Sequence, residues 1–432
     1  MRALPGRTGY QSLAVGERRG SESVSNAIRD VMATQERIGA DDRGTRLVGS
    51  LSGTNLERAA DYNQRIVLQA IRVAEETTRA ELATITGLTA PTIANITKRL
   101  LDLGLIAEAG RRFGMRGQPA LRLRVNPDGC FSIGINIDRD HYTIVTLDLL
   151  GTVRTRAVKE ISFAMPEHVL ACLRTEVEAI RASGEIDQKR LIGVGVALPD
   201  DLGSVELPHR PEGYEVWNHL DVAGLVREVL PLPVHIDNDA AAAAIGEAQF
   251  GSGLTQQSFF YVLISAGLGG GLVIDGSYAR GANARSGEIG FLPDATAGRP
   301  GATVQDTVSL SALLARLEAA DQPVETIDAL SEDMPVVRQW LDDAARSLTD
   351  PLVAVNCLVN PAAILIGGRL PASLIDALIA RLEPALARAN APVIAPMMRA
   401  ATSSDAPAIG AAILPFLDRV LPTESALMQA GR

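Results

Sequence analysis

Thr92, Asn95, Lys98 and Arg99 recur at a spacing that gathers them on one face of a helix, where they can meet base edges and the phosphates between them. Ile93, Ile96, Leu100 and Leu103 fall on the opposite face and demand a core. Arg111, Arg112 and Arg116 follow in the Gly-containing stretch 111–119, read as a flexible loop whose guanidinium groups suit a narrow minor groove. Such a set implies recognition of double-stranded DNA. Thr92 and Asn95 would read bases, Lys98 and Arg99 would anchor phosphates, and the three arginines would add contacts from a wing or linker. Thr89 stands at the start of the reading helix.

Several local signals position this set. Thr78-Arg79-Ala80-Glu81 has capping-box spacing, a hydroxyl for the N3 amide and a carboxylate reaching back. Ala80, Leu82, Ala83 and Ile85 give the short helix that follows an apolar side. Thr86-Gly87-Leu88 predicts a sharp turn, with Gly87 free to take a positive φ. Thr89 can cap the second helix, whose first turn tolerates Pro91. An earlier helix is predicted over Asp61–Glu75 with Ile66, Ala70, Ile71 and Ala74 inward, and Leu121, Leu123 and Val125 alternate as in a strand. Together these spell a winged helix-turn-helix, closed by the turn Asn126-Pro127-Asp128-Gly129.

Charge is divided along the chain. Residues 1–128 hold 19 Lys and Arg against 14 Asp and Glu, whereas 129–432 hold 22 against 37, a net of −15. DNA would be repelled by that acidic body, so contact must concentrate in the front segment. The 432 residues, 47% hydrophobic, allow two or three domains. Charged residues interrupt every apolar run before it could span a bilayer, and the N-terminal arginines precede no hydrophobic stretch of a secretory signal. Three widely separated cysteines, Cys130, Cys172 and Cys357, fit a reducing compartment, so a cytoplasmic location is expected. Residues 1–57, rich in Gly, Ser, Arg and Asp without sustained period, are expected to be a disordered extension. The remaining boundaries are a DNA-binding unit over 58–127, a two-lobed body over 129–420 and a tail over 421–432.

The body alternates strand-like and helix-like stretches. Phe131–Ile137 and Tyr142–Leu147 read as a hairpin, Leu191–Ala197 as a buried strand, and Val234–Ile236 as another leading into an Ala-rich helix. Phe259–Ser265 and Gly270–Ile274 make a second hairpin, and Ala363–Ile366 ends at Gly367-Gly368 before a helix from Ser373 to about Arg388. Hairpins feeding α/β units, twice over, predict two similar lobes around a cleft.

Five segments then resemble the ROK family of repressors, open reading frames and sugar kinases. They are Ile236-Asp237-Asn238-Asp239-Ala240; Ile264-Ser265-Ala266-Gly267-Leu268-Gly269-Gly270-Gly271-Leu272; Asp275-Gly276 with Gly281; Ser286-Gly287-Glu288-Ile289-Gly290; and Ile364-Leu365-Ile366-Gly367-Gly368. The resemblance covers about 60–420 and implies an α/β fold, the actin-like, two-lobed sugar-kinase (ribonuclease H-like) type, preceded by the winged helix-turn-helix. It gives Asp239 the place of the base for a sugar hydroxyl, Asn238 that of a sugar hydrogen-bond partner and Glu288 that of a sugar-contacting acid. From the residues alone Asp239 could equally be the N-cap of the Ala-rich helix.

Three departures bear on chemistry. The kinases of the family open with Asp-x-Gly-Gly-Thr; here Asn136 replaces the carboxylate, and Asp138 and Asp140 stand where glycine backbone would approach phosphate. Phe291 and Gly301-Ala302-Thr303-Val304 occupy the places of the family's zinc ligands, and His141, His168, His209, His219 and His235 show no metal spacing, so neither metal nor cofactor is expected. Gln305 takes the place of a sugar-binding Glu, adding a donor to an acceptor. Expected effector ligands are therefore Asn238, Asp239, Glu288, Phe291, Gln305 and His209, with Trp217 a weaker candidate. The expected protein is a homodimeric or homotetrameric transcriptional regulator, a repressor, binding a DNA operator and a small carbohydrate effector without phosphorylating it. Alternatives are a carbohydrate kinase fused to a DNA-binding module, or a protein-binding derivative of the fold.

Overall fold

The computed structural model describes residues 56–112, 120–200, 202–204, 210–282, 284–389, 391–402 and 405–423. The extension over 1–57 and the tail over 421–432 lie outside these residues, apart from 56, 57 and 421–423.

The winged unit comprises α1 (Leu56–Ala74), β1 (Glu76–Thr78), α2 (Arg79–Thr86), α3 (Ala90–Asp102), β2 (Ile106–Arg112) and β3 (Ala120–Val125). Its strands form a sheet of order β1-β3-β2. Thr78 and Glu81 make both halves of the capping box, Gly87 takes φ 69°, and Thr89 accepts from the Thr92 amide. Ile93, Leu100 and Leu103 are buried and Ile96 packs beside them.

Three elements of the sequence reading need correction. α1 begins five residues before the predicted Asp61, its inner face is Val67, Leu68 and Ile71 with the buried Arg65 and Arg72, and Ala74 is exposed. On α2 only Leu82 is fully buried, and Ile85, in the last turn of this eight-residue helix, is 61% exposed. Arg111 and Arg112 belong to β2 rather than a loop, opposite Leu121 and Ala120. Arg116 lies outside the described residues.

The body holds two five-stranded sheets. The first has order β6-β5-β4-β7-β8, from β4 (Phe131–Ile137), β5 (His141–Asp148), β6 (Val153–Glu160), β7 (Leu191–Leu198) and β8 (Val234–Asn238). The second has order β11-β10-β9-β12-β13, from β9 (Phe259–Ile264), β10 (Leu268–Ile274), β11 (Ser277–Tyr278), β12 (Ala363–Gly368) and β13 (Met397–Arg399). In each sheet an antiparallel hairpin meets parallel strands, which require helical crossovers. The first sheet is covered outside by α4 (Pro166–Ser183) and α5 (Val222–Arg227); the second by α9 (Pro335–Val359) and α10 (Ala372–Ala387), with α7 (Gln305–Val308) and α8 (Leu310–Ala319) beside them.

Between the sheets run α6 (Asp239–Phe250) and α11 (Ala406–Arg419). β9 is apolar at every position because both its faces are covered: Phe260, Val262 and Ile264 meet Trp340 and Leu378, while Phe259, Tyr261 and Leu263 meet the alanines of α6. The Ala-rich run now has a cause. Ala242 and Gly410 lie so close where α6 crosses α11 that any Cβ at 410 would strike the Ala242 carbonyl. The winged unit shares one core with this layer, since Ile71, Leu82 and Leu100 pack in the same cluster as Ile245, Ala412 and Phe416. Arg65 donates to the carbonyls of Leu417 and Leu421 at 3.1 and 3.3 Å.

Candidate functional site

On α3 the Asn95, Lys98 and Arg99 side chains are exposed and lie beside one another, away from Ile93, Thr97 and Leu100. Thr89 is exposed, whereas Thr92 is half-buried and its hydroxyl is 2.8 Å from that of Thr89. Arg111 reaches solvent at the end of β2. The exposed basic and amide groups therefore stand on the helix that follows the Gly87 turn, next to a three-stranded wing. This arrangement can lay α3 in a major groove.

A cleft of about 580 Å³ opens between the lobes, where β8 passes into α6 and faces the β9–β10 turn. Asn238, Asp239, Glu288, Phe291 and Gln305 all line it, so five of the six expected effector residues converge. His209 lies outside the described residues. Trp217 is a correction: it is buried and donates to the Ala164 carbonyl at 3.0 Å, a core residue of the first lobe. Arg139, Asp200, Ser265 and Arg285 also line the cleft. Sequence reasoning missed them, although Arg139 stands between Asp138 and Asp140 and Arg285 directly precedes the Ser-Gly-Glu motif.

Asn238 settles the N-cap alternative. Its Oδ1 accepts from the amides of Ala240 and Ala241 at 2.9 and 3.1 Å, leaving Asp239 as the first residue of α6. Burial, reinforced by the nearby Asp138 charge, pushes the Asp239 carboxyl up to about 7; the Ala240 amide and Arg139 oppose that rise. A carboxyl held there can accept a hydroxyl hydrogen bond when charged or donate one when protonated. Glu288 receives Arg285 at 3.2 Å, and the same guanidinium lies 3.4 Å from Asp200. Phe291 forms a half-exposed apolar wall at the cleft.

The stretch read in the sequence as an altered phosphate loop runs from the end of β4 through the tight turn into β5. Asn136 Nδ2 is 2.9 Å from His141 Nε2, His141 Nδ1 is 2.7 Å from Asp140, and Arg369 donates to Asp140 at 2.6 Å and to Glu160 at 2.6 Å. Burial pushes the Asp140 carboxyl up, but the His141 hydrogen bond and the charges of His141 and Arg369 outweigh it and hold it below its usual range. Asp138, Asp140 and His141 place potential ligand atoms within 4.8 Å of one another, a grouping that the spacing of the histidines did not reveal. Asp140 and His141 already serve each other and Arg369, which makes them a bridge between lobes rather than an open donor set.

The glycine run after β9 also has a packing cause. A Cβ at Gly270 would fall 2.5 Å from the Gly287 carbonyl, and one at Gly271 would fall 2.5 Å from the Ala244 Cβ. These positions are glycine because backbone, strand and α6 meet there.

This chain belongs to the ROK family, whose profile matches residues 132–416. A winged helix-turn-helix DNA-binding profile matches residues 61–107. The chain is similar to the uncharacterized protein y4fQ of Sinorhizobium fredii, with 31% identity over 363 residues, covering 82% of this chain and 90% of the relative. It is 27% identical over 231 residues to the xylose repressor of Bacillus subtilis, covering 53% of this chain and 60% of that protein. Among solved structures, a ROK family transcriptional regulator described as a homolog of the E. coli MLC protein shares the fold with a TM-score of 0.64 and 23% identity, over 85% of this chain and 99% of that one. None of the described helices is long and apolar enough to cross a membrane.

Proposed function

We propose that this protein is a cytoplasmic transcriptional repressor whose two-lobed body binds a sugar or sugar-derived effector and does not phosphorylate it. The observation that carries this reading is one helix. α6 starts at Asp239 in the cleft and ends at Phe250, against which Arg72 of the winged unit is stacked. A ligand that moves one lobe relative to the other tilts α6 and α11, and α1 is fastened to both. In a homodimer the two α3 helices would then change spacing, and operator affinity would change by linkage. A coupling of about 1–3 kcal/mol is enough.

Phosphoryl transfer is disfavoured by three features of the cleft. Asn136 offers no carboxylate, Arg139 and Asp138 occupy the turn that would wrap phosphate, and Gly270 and Gly271 serve packing. The kinase alternative retains Asp239, a carboxyl placed to accept a hydroxyl proton. Measuring ATP consumption with a panel of hexoses, hexosamines and polyols separates the two: turnover lost in Asp239→Asn would establish the kinase. Gel-shift titration against the chain's upstream intergenic DNA tests the regulator. A salt-sensitive, sequence-preferring complex is expected, and an effector should weaken it. Binding that ignores sequence would remove the reading.

A further inference from the structure

Arg139 extends from the β4–β5 turn into the cleft and its guanidinium holds nothing. Among the described residues it makes no ion pair and no hydrogen bond, and its Nε is shut from solvent without an acceptor. Of the acids near it, each has one oxygen engaged by a backbone amide, and Asp138 Oδ2 is itself buried without a partner. Asp138 Oδ1 accepts from the backbone amide of Arg139 at 2.7 Å, and Asp239 Oδ1 accepts from that of Ala240 at 2.8 Å. Other arginines around the cleft do hold carboxylates: Arg285 meets Glu288 and Asp200, Arg280 meets Asp237, and Arg369 meets Asp140.

The guanidinium presents its donors in a planar fork that matches two oxygens of one anion. Its Nη1 reaches the far lobe, 2.9 Å from where a Cβ of Gly267 would stand. A side chain at 267 would close the space that this nitrogen faces, and glycine keeps it open. The Gln305 Oε1 is 3.8 Å from the same point, so an amide stands beside the vacant fork.

Resting on the effector reading above, the geometry points to an acidic effector: a sugar or sugar-derived polyol whose carboxylate or phosphate group sits on Arg139 beside Gly267, with hydroxyls toward Asp239 and Gln305. The acids lining the same cleft, Asp200, Asp239 and Glu288, make the site poor for a bare anion and good for one that brings hydroxyl donors with it. Carboxylate and phosphate share the chemistry that Arg139 reads, and the test separates them.

Calorimetric titration of the full chain compares each neutral parent with its acids: D-glucose against D-gluconate, D-glucuronate and D-glucose 6-phosphate, and D-xylose against D-xylonate. Arg139→Gln and Arg139→Lys are titrated alongside, with melting curves to show that both fold. An acid binding about 10- to 100-fold more tightly than its parent is expected, with the gap closed in R139Q and partly kept in R139K. Whether the carboxylates or the phosphate carry the gap identifies the anion. A neutral sugar bound as tightly as its acids, unchanged in R139Q, overturns the acidic class and leaves the effector reading standing. Saturable binding of none of these compounds overturns the effector reading together with it.

Discussion

The guanidinium of Arg72 lies 4.5 Å above the ring of Phe250, joining the first helix of the winged unit to the last residue of the helix that begins in the cleft. Arg72 also donates to the Gln249 carbonyl at 3.2 Å and to its side-chain oxygen at 3.1 Å. Burial pushes its pKa down only to about 10, so the cation persists at neutral pH. Arg72→Ala removes the stacking and the hydrogen bonds, a loss of about 2 kcal/mol. The variant should melt a few degrees lower, still shift operator DNA, and respond less to effector. Gel shifts with and without effector measure this. An undiminished response in a folded R72A would show that the signal does not travel through α6.

Asp239→Asn should stabilise the protein at alkaline pH while weakening effector binding. The native carboxyl titrates at about 7 against 3.8 for the ordinary group, so the folded state holds a proton that the unfolded chain has released. Stability is therefore greatest below the lower value and falls as pH rises toward the higher one. Asparagine escapes that penalty, and the helix cap is untouched because Asn238 supplies it. Melting temperatures at pH 5 and pH 8 should converge in the variant, with its value above wild type at pH 8. A lower melting point at pH 8 would mean that the ionised carboxylate is a stabilising group.

How much of this was readable in advance depended on the range of each interaction. The Thr78–Glu81 box, the Gly87 turn and the Thr89 cap are set within four residues, and the structure has them all. The family segments supplied Asn238, Asp239 and Glu288, and the departures from the family pattern Phe291 and Gln305, and all five line one cleft beside β8, β9 and β10. β6 was missed: Val153–Glu160 carries four charges, since it is an edge strand with a solvent face. Arg369 and Asp140, 229 positions apart, leave no local pattern, and only the assembled lobes bring them to 2.6 Å. Arg139 was hidden by the acids on either side, whose charges drew the reading to themselves.

Arg369→Ala should loosen the two lobes, whereas Glu160→Gln should not. The Arg369 side chain is 9% exposed and holds both Asp140 and Glu160, but Glu160 is 66% exposed and its pairing is screened by solvent. Losing the arginine leaves Asp140 partly buried beside His141 alone, a cost of about 2 kcal/mol. Because the folded Asp140 is held below its ordinary pKa, its contribution is present above that value and disappears as pH falls through the acid range. Urea titrations at pH 7 and pH 3 should show the R369A deficit shrinking at the lower pH. Equal deficits for R369A and E160Q would show that the exposed arm, not the Asp140 bridge, joins the lobes.

On α3 the two polar chemistries should separate cleanly. Lys98 is exposed and, read as a phosphate anchor, predicts that Lys98→Ala weakens every DNA sequence alike and lowers the slope of log affinity against log salt by about 1. Asn95 presents an amide that can bond N6 and N7 of an adenine together, so Asn95→Ala should cost about 1–3 kcal/mol on the preferred site and relax the preference at one base pair. Thr92 ranks below Asn95 as a reader because its hydroxyl is tied to Thr89, and Thr92→Ala should act through helix stability more than through sequence preference. Selection of bound sequences from a random pool, repeated for each variant, measures all three. A preference that survives in N95A but vanishes in T92A would reverse the order of the two residues and put the base contact at the start of the helix.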